Sequence, residues 1–177
     1  YAEQNRKFPR ADKTKKGNAT EVLLVEYVSK SLRKDLLKVF KLKYNPNVDQ
    51  AIKGDDTLMV DLINVDGVDK IKVYLGESKF RSAPSKAVVD DIMKSLSKDK
   101  KPLSYSFLVD ELGKNPDTIE LAKRLDEFII DEIKANGDLV YTGLLLSNTN
   151  TFNIVEQNLN SDNPNLVLIS IGVDNPT

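Results

Sequence analysis

The feature that most limits the fold is a run of apolar residues near the end of the chain, Val140-Tyr-Thr-Gly-Leu-Leu-Leu. A strand with one solvated face alternates apolar and polar residues, whereas a nearly continuous apolar run is typical of a strand covered on both faces. Covering both faces of a sheet requires helices on each side of it. The run therefore predicts the central strand of an α/β protein.

The rest of the chain supplies the elements around this strand, in the order helix, hairpin, helices, strand, short helix, strand. Asn18 is a good N-cap before apolar residues at helical spacing, and Asn45-Pro46-Asn47 would end that helix. The turn signal Val65-Asp66-Gly67 between two β-rich runs predicts a hairpin. Asn115 and Pro116 would open a long helix that Gly137 closes. The predicted helices cover residues 19–44, 84–96, 105–112, 116–137 and 151–159, and the predicted strands cover residues 57–64, 70–80, 139–147 and 166–173.

These elements predict a three-layer α/β sandwich with a mixed central sheet. A chain of 177 residues with 40% hydrophobic residues fits one domain over residues 1–177, preceded by an irregular basic segment at residues 1–17. The first residue is Tyr rather than Met, which is typical of a fragment trimmed from a longer chain. No apolar run approaches the ~20 residues that cross a bilayer, and no secretory signal is visible, so no membrane association is expected.

The composition excludes several kinds of catalysis. The chain contains no Cys and no His, which removes zinc sites of the Cys/His type, thiol nucleophiles and Ser-His triads. It also removes disulfides, in agreement with a cytoplasmic location. An enzyme built from this chain would depend on carboxylates, Lys, Arg, Tyr or Ser, and its metal would be a hard cation such as Mg²⁺ or Mn²⁺.

Positive charge is concentrated in the first part of the chain. Residues 1–101 hold 22 of the 26 Lys and Arg but 15 of the 27 Asp and Glu, so their net charge is +7 and that of the remainder is −8. A basic half can follow a phosphate backbone even in a neutral protein, although, taken alone, the charge distribution is better explained by solvated surfaces. Arg81, Lys86 and residues 98–101 are candidates for phosphate contacts, with solvation the better expectation for each one singly.

One group of residues suggests chemistry: Asp56 at the start of one hairpin strand, and Glu77 and Lys79 at the end of the next. Alternate residues of a strand share a face, so Glu77 and Lys79 are expected to project together, and the hairpin can return the chain beside Asp56. Asp55 is an alternative to Asp56, which is favoured because its strand parity continues through apolar residues. The same spacing in Glu132-Ile-Lys134 falls in a predicted helix, where residues two apart do not share a face.

This arrangement suits hydrolysis of a phosphodiester. Paired carboxylates can hold a divalent metal, which neutralises phosphate charge and lowers the pKa of bound water. The Ser78 backbone carbonyl could add a further oxygen ligand, and Lys79 could orient the attacking water or stabilise developing negative charge. The alternative is an exposed ion pair between Glu77 and Lys79, worth ~0–1 kcal/mol.

Glu21 is a further candidate metal ligand. It lies on the apolar stripe of the first helix, four and seven residues before Val25 and Val28, where a carboxylate is costly unless it meets a cation. The spacing Asn18-x-x-Glu21 equally suits a capping box.

Asp61 is expected to be exposed to solvent. Tyr105 and Tyr141 are expected in the core or at its edge rather than as base-stacking platforms.

With Glu21 on a helix, Asp56 on one strand and Glu77-Ser78-Lys79 on the next, the chain resembles the PD-(D/E)xK nuclease superfamily. The resemblance implies a restriction-endonuclease-like core in the order α-β-β-β-α-β, with Asp56, Glu77 and Lys79 as the catalytic motif and Glu21 as the added helix carboxylate. The usual Pro before the aspartate is absent.

Two short segments, Gly17-Asn-Ala-Thr-Glu21 and Leu75-Gly-Glu-Ser-Lys-Phe-Arg-Ser82, resemble the HamA family, the nuclease subunits of Hachiman anti-phage defence systems. This narrower resemblance implies DNA degradation during phage attack, a helicase partner and regulation by that partner.

The leading hypothesis is therefore a nuclease for DNA that depends on Mg²⁺ or Mn²⁺. One rival is a catalytically silent module that keeps a nuclease-like fold for binding nucleic acid or protein. Another is a metal-dependent phosphohydrolase for small phosphates, although no Gly-rich phosphate loop supports nucleoside triphosphate binding.

Overall fold

The computed structural model describes residue 9 and residues 11–40, 57–66, 68–97, 103–127 and 137–173. Its helices are α1 (Asp12–Leu32), α2 (Lys86–Leu96), α3 (Leu103–Gly113), α4 (Ile119–Glu127) and α5 (Phe152–Asn158). Its strands are β1 (Leu37–Phe40), β2 (Thr57–Val65), β3 (Val68–Phe80), β4 (Leu139–Ser147) and β5 (Leu166–Gly172).

The five strands form one mixed sheet in the order β1-β2-β3-β4-β5. Strands β1, β2 and β3 pair antiparallel, and β3, β4 and β5 pair parallel. The predicted hairpin is confirmed: Val65 lies opposite Val68, and Asp66 between them has a positive φ of 53°. Strand β3 is thus central, with an antiparallel neighbour on one side and a parallel neighbour on the other.

Helices cover both faces of this sheet. On one face of the sheet, α1 buries Leu24, Val25 and Val28 against residues such as Met59 and Leu144. We call this face the α1 side. The larger core on the other face, the α2 side, is formed by apolar residues of α2 to α5 packed on the sheet: Leu58, Val60, Ile71, Val73, Leu75, Val88, Val89, Ile92, Leu96, Tyr105, Leu125, Leu139, Tyr141, Leu145 and Val155. The predicted three-layer α/β class is confirmed, and β4 is an interior, largely buried strand as expected, although the middle strand of the five is β3.

The tyrosines predicted to be structural are in this core. Tyr105 is 1% exposed and Tyr141 is 7% exposed. The Tyr105 hydroxyl donates a hydrogen bond to the Leu125 carbonyl, which ties α3 to α4. Burial raises the pKa of the Tyr105 phenol, so it remains a neutral donor. Within the described parts of the chain, no helix is both long enough and apolar enough to cross a membrane.

The first helix differs from its prediction at both ends. It begins at Asp12 rather than after Asn18, so residues 12–17 are helical and not irregular. It ends at Leu32, where Arg33 adopts the left-handed conformation with φ 53° and donates its N–H to the Lys30 carbonyl. A residue in the left-handed conformation commonly ends a helix, but it is usually Gly. Because Arg rarely takes this role, the sequence did not predict a helix end at Arg33.

Residues 37–40, predicted as the continuation of that helix, form strand β1. Their apolar positions fit a helix or a short strand, and pairing of Leu37 to Phe40 with β2 decides for the strand because it satisfies backbone hydrogen bonds at the sheet edge. The predicted helix end at residue 44 lies outside the described residues.

The fourth helix also begins later than predicted. Asn115 does not cap it; its side-chain oxygen accepts the Asp117 N–H at 3.1 Å inside a turn. The helix begins at Ile119, and the Thr118 carbonyl accepts the Ala122 N–H at 2.9 Å. Asn and Pro suit turns as well as helix starts, which explains the shift of three residues. Residues 128–136 lie outside the described residues.

Asp61 was predicted to be exposed but is 6% exposed, on β2. Its carboxylate forms an ion pair with Lys34, which follows α1. The side chain shares the α1 side with Met59, two residues earlier, where the helix and its C-terminal loop cover the sheet. The Asp61 carboxylate can be buried because Lys34, outside the strand, pairs with it. Strand parity alone could not predict that partner.

This ion pair gives a testable pH dependence. Its hydrogen bond to Asp61 raises the pKa of Lys34 above the ordinary value of 10.5. The stabilisation is therefore complete below pH 10.5 and is lost as the pH rises through the raised pKa. We expect Lys34→Met, which keeps the apolar stem, to lower the free energy of unfolding by about 1 kcal/mol at pH 8, since Lys34 is partly solvated.

Urea denaturation of wild type and Lys34→Met at pH 8 and above pH 10.5 checks this expectation. The difference between the two proteins should shrink at the higher pH. A difference that stays constant across this range would show that the ion pair is not its cause.

Candidate active site

The site lies at the end of β3, beyond the described part of β2. Thr57, the first described residue of β2, pairs with Gly76 of β3. From Glu77 to Phe80, β3 continues beside β4, with Glu77 opposite Gly143 and Lys79 opposite Leu145. The central strand therefore presents Glu77-Ser78-Lys79 at one end of the sheet.

Glu77 and Lys79 share the face of β3 that points to the α2 side. Ile71, Val73 and Leu75 belong to the core on that side, and alternation along the strand places Glu77 and Lys79 on it as well. The neighbour across the sheet agrees, because a Cβ at Gly143 would lie 2.9 Å from Ile92 of α2. The expectation that the two side chains project together is confirmed.

The two side chains form an ion pair, the Lys79 ammonium donating to Glu77 Oε1. Glu77 is 2% exposed, whereas the Lys79 side chain is 27% exposed. An ion pair on an open surface contributes little, but here the carboxylate is removed from water and the cation is not. The pair is thus a buried acid beside a cation that solvent and solutes can reach, and not the exposed surface pair that was the alternative.

The backbone before Glu77 is tightly packed. A Cβ at Gly76 would overlap Thr57 Oγ1 and lie 2.8 Å from Leu24 Cδ2, so only Gly fits between β2 and α1 at this position. Thr57 is 0% exposed, and its hydroxyl has no hydrogen-bond partner in the described structure. Close packing on the α1 side therefore holds the strand that carries Glu77.

Glu21 and Ser78 belong to the opposite face. Glu21 is 7% exposed on α1, one turn before Leu24, which lies over Gly76. Ser78 shares strand parity with Tyr74 on the α1 side. Because α1 begins at Asp12, Asn18 and Glu21 lie inside the helix and do not form a capping box. Glu21 is thus a buried carboxylate on the helix that covers the α1 side, whereas the Glu77 and Lys79 side chains project to the α2 side.

Asp56 and Asp55 lie outside the described residues. Of the described residues that follow them, Thr57 pairs with the residue before Glu77, and Leu58 faces the α2 side as Glu77 does. Among the ranges that the structure describes, no three acidic side chains are close enough together to hold a metal ion. The role of Asp56, like that of Glu21 and Ser78 as metal ligands, stays a prediction.

The predicted phosphate contacts differ in their surroundings. Lys86 forms an ion pair with Asp90 at 2.9 Å, and residues 98–101 lie outside the described residues. Arg81 follows β3 directly and is exposed. Lys16, which the sequence analysis assigned to an irregular segment, places its ammonium 4.9 Å from the centre of the Phe80 ring. Its spacing of four and eight residues before buried Thr20 and Leu24 was the signal that could have found it.

Fold and site together define a class: a three-layer α/β protein with a mixed five-stranded sheet, consistent with a nuclease-like core, whose central strand ends in a buried Glu paired with Lys. Comparison of sequences then gives the family. The sequence profile of HamA matches residues 1–177, and the chain belongs to the HamA family.

Hachiman protein HamA from Bacillus cereus is 42% identical to this chain over 181 residues. The matched region covers 99% of the chain and 62% of the relative, so the chain spans less than two thirds of that protein's length. The resemblance to HamA is confirmed by these two matches, whereas membership of the PD-(D/E)xK superfamily stays a prediction.

Proposed function

We propose that this protein is a nuclease that hydrolyses DNA phosphodiester bonds with the help of a divalent metal ion. The observation that carries the proposal is the pairing of buried Glu77 with accessible Lys79 on one face of β3, where that strand extends past Thr57. Phosphodiester hydrolysis needs a place for negative charge to be stabilised at the attacking oxygen and the phosphate.

The donor atoms fit a hard cation. Glu77 offers a carboxylate removed from water, and the chain has no Cys or His that would select a softer metal. Glu77, the predicted partner Asp56 and the Ser78 carbonyl would hold Mg²⁺ or Mn²⁺, with Glu21 as a further predicted ligand. When bound, such an ion lowers the pKa of its water and neutralises phosphate charge.

Lys79 would act on the substrate itself. Its ion pair with Glu77 limits the positions of the ammonium, and its partial exposure leaves it able to meet a phosphate oxygen. An ammonium held in advance stabilises developing negative charge without reorganising at the moment of reaction. Lys79 can also orient the attacking water by a hydrogen bond.

Family membership supports a role in anti-phage defence. The Bacillus cereus relative is named a Hachiman protein, and we propose that this chain serves the same defence system, with DNA as its target and a helicase as its partner subunit. Size-exclusion chromatography of this protein with a candidate helicase subunit would test the association: co-elution supports it and separate elution contradicts it.

The expected result for the protein alone is cleavage of plasmid DNA in Mg²⁺ or Mn²⁺ and none in EDTA, because the carboxylates cannot polarise water without the ion. Agarose gel analysis of plasmid after incubation in each condition measures it. Re-addition of Mn²⁺ to the chelated sample is the control and should restore cutting. Cleavage that persists in EDTA would contradict the metal dependence.

A catalytically silent module that binds nucleic acid or protein is the second candidate; exposed Lys16 and Arg81, which form no ion pair with any residue that the structure describes, are available to a nucleic acid in it. It predicts DNA binding that weakens with salt but is independent of metal. Calorimetric titration with Mn²⁺ separates the two: binding that disappears in Glu77→Gln supports the enzyme, and no Mn²⁺ binding at all supports the module.

A further inference from the structure

The cations around the end of β3 fall into two groups. Lys15 pairs with Asp12 at 3.1 Å and Lys86 pairs with Asp90 at 2.9 Å, so each already has a carboxylate beside it. Lys16 and Arg81 take part in no ion pair with any residue that the structure describes, although both are exposed. Positive charge therefore remains on Lys16 and Arg81 at the end of β3, where an anion can reach it.

Lys16 is held in place by Phe80. Its ammonium lies 4.9 Å from the ring centroid, within the range of a cation–π interaction. Helix α1 supplies the Lys16 backbone and β3 supplies the ring, so two rigid elements fix the position of the charge. A lysine on a free surface samples many rotamers, and this contact removes part of that freedom.

Arg81 is held by the same residue. Its Nη1 donates a hydrogen bond to the Phe80 carbonyl at 2.9 Å, and its backbone N–H donates to the Leu146 carbonyl at 3.0 Å. A guanidinium has five N–H donors in a planar fork, so the remaining donors are available for a phosphate. Phe80 therefore anchors two cations, one through its ring and one through its carbonyl.

We propose that Lys16 and Arg81, both anchored on Phe80, bind two phosphates of a nucleic-acid backbone that passes over the end of β3, the strand end from which Glu77 and Lys79 project. This inference rests on the proposed nuclease function, whose substrate it describes further. Phe80 is a positioning residue: it holds the two cations and contacts no phosphate.

The geometry also indicates how the nucleic acid is recognised. The Lys16 ammonium lies over the Phe80 ring, so that face of the ring is occupied and is not free to stack on a base. Binding through phosphates alone does not distinguish one base from another. The site therefore favours a substrate chosen for its charged backbone and not for its sequence.

Binding of a fluorescent 20-base-pair duplex in EDTA, measured by anisotropy from 50 to 300 mM KCl, tests the proposal without cleavage. The slope of log K against log salt is negative, and each lost phosphate contact reduces its magnitude by about 0.9. We expect Lys16→Ala and Arg81→Ala each to show this change, with binding about fivefold weaker at 0.15 M salt. In the double variant the magnitude of the slope should fall by about 1.8.

Variants of Phe80 test its positioning role. Phe80→Leu keeps Lys16 but removes the ring, and we expect binding about two- to fivefold weaker, as the loss of one cation–π contact allows. Phe80→Tyr keeps the ring and should restore binding. Lys72→Ala is the matched control, since Lys72 lies 6.0 Å from the Tyr74 ring on the same strand but eight residues from Phe80.

The proposal is overturned if the wild type does not bind the duplex at 50 mM KCl, or if Lys16→Ala and Arg81→Ala keep the wild-type slope. It is also overturned if Lys72→Ala changes the slope as much as they do. Failure of the nuclease proposal has a different signature: the slopes change as expected while wild type with Mg²⁺ leaves the DNA intact.

Discussion

Glu77→Gln and Lys79→Ala are each expected to lower the rate of DNA cleavage by about 10²–10³-fold, the scale observed when one group that stabilises a transition state is removed. Gln keeps the size of Glu77 but loses the charge that a divalent cation requires. Ala at position 79 removes the ammonium and leaves Glu77 without this partner. Rates of plasmid nicking in Mg²⁺ under identical conditions give the comparison.

The chain contains a matched control for these variants. Lys34 and Asp61 form a second ion pair in which the carboxylate is buried, but it lies on the α1 side. Lys34→Met disrupts an ion pair of the same kind and should leave cleavage within about twofold of wild type below its unfolding temperature, because neither Lys34 nor Asp61 belongs to the site. Circular dichroism confirms that all three variants are folded.

Two outcomes would count against the assignment. Cleavage by folded Lys79→Ala at the wild-type rate would remove Lys79 from the chemistry. Equal losses in Lys34→Met and Glu77→Gln would show that stability of the fold, and not the site, limits the assay. Duplex binding by Glu77→Gln separates DNA binding from DNA cleavage. Binding should persist in this variant, since the anchored cations Lys16 and Arg81 are unchanged.

Gly76→Ala is expected to destabilise the protein by about 2–3 kcal/mol, in the upper part of the range for overpacking. The added methyl group would overlap Thr57 Oγ1 and press on Leu24 Cδ2, both in the packed layer under α1. For a chain of this size the melting temperature should fall by about 4–10 °C. Differential scanning fluorimetry and urea denaturation measure the two quantities.

A second substitution makes the cause testable. Thr57→Ala removes the overlapping oxygen, and the nearest remaining Thr57 atom, its Cβ, is at an ordinary 3.4 Å from the new methyl group. The Thr57 hydroxyl makes no hydrogen bond in the described structure, so its loss costs little. The double variant should therefore be more stable than Gly76→Ala alone. Additive destabilisation in the double variant would contradict the packing explanation.

Elements of the fold could be predicted where the sequence pattern that specifies them lies within a few neighbouring residues. The hairpin, α2, β4, α5 and β5 followed from hydrophobic period and turn residues, which act over a few positions. Strand β1 did not, because its four residues fit the end of a helix until pairing with β2 determined otherwise. The start of α1 was missed because a basic, polar first turn resembles an irregular segment when no core is in view.

The site divides in the same way. Strand parity was sufficient to predict that Glu77 and Lys79 project together, and the ion pair confirms it. Parity could not show that Asp61 is buried, since its partner Lys34 comes from a distant part of the chain. The contact between Lys16 and Phe80 joins residues 64 positions apart; the spacing of Lys16 shows which face of α1 it occupies, but only packing shows that Phe80 lies there.

By itself, the sequence determined the α/β class, the Glu77-Ser78-Lys79 motif at a strand end and the exclusion of Cys and His chemistry. These follow from residue identity and from backbone periods of 2 and 3.6, which need no knowledge of neighbours. Only the tertiary structure decided that Glu77 is buried while Lys79 is accessible, that Glu21 lies on the opposite face, and that Phe80 anchors two cations. Burial and pairing depend on which element covers a residue, and packing between distant segments sets that.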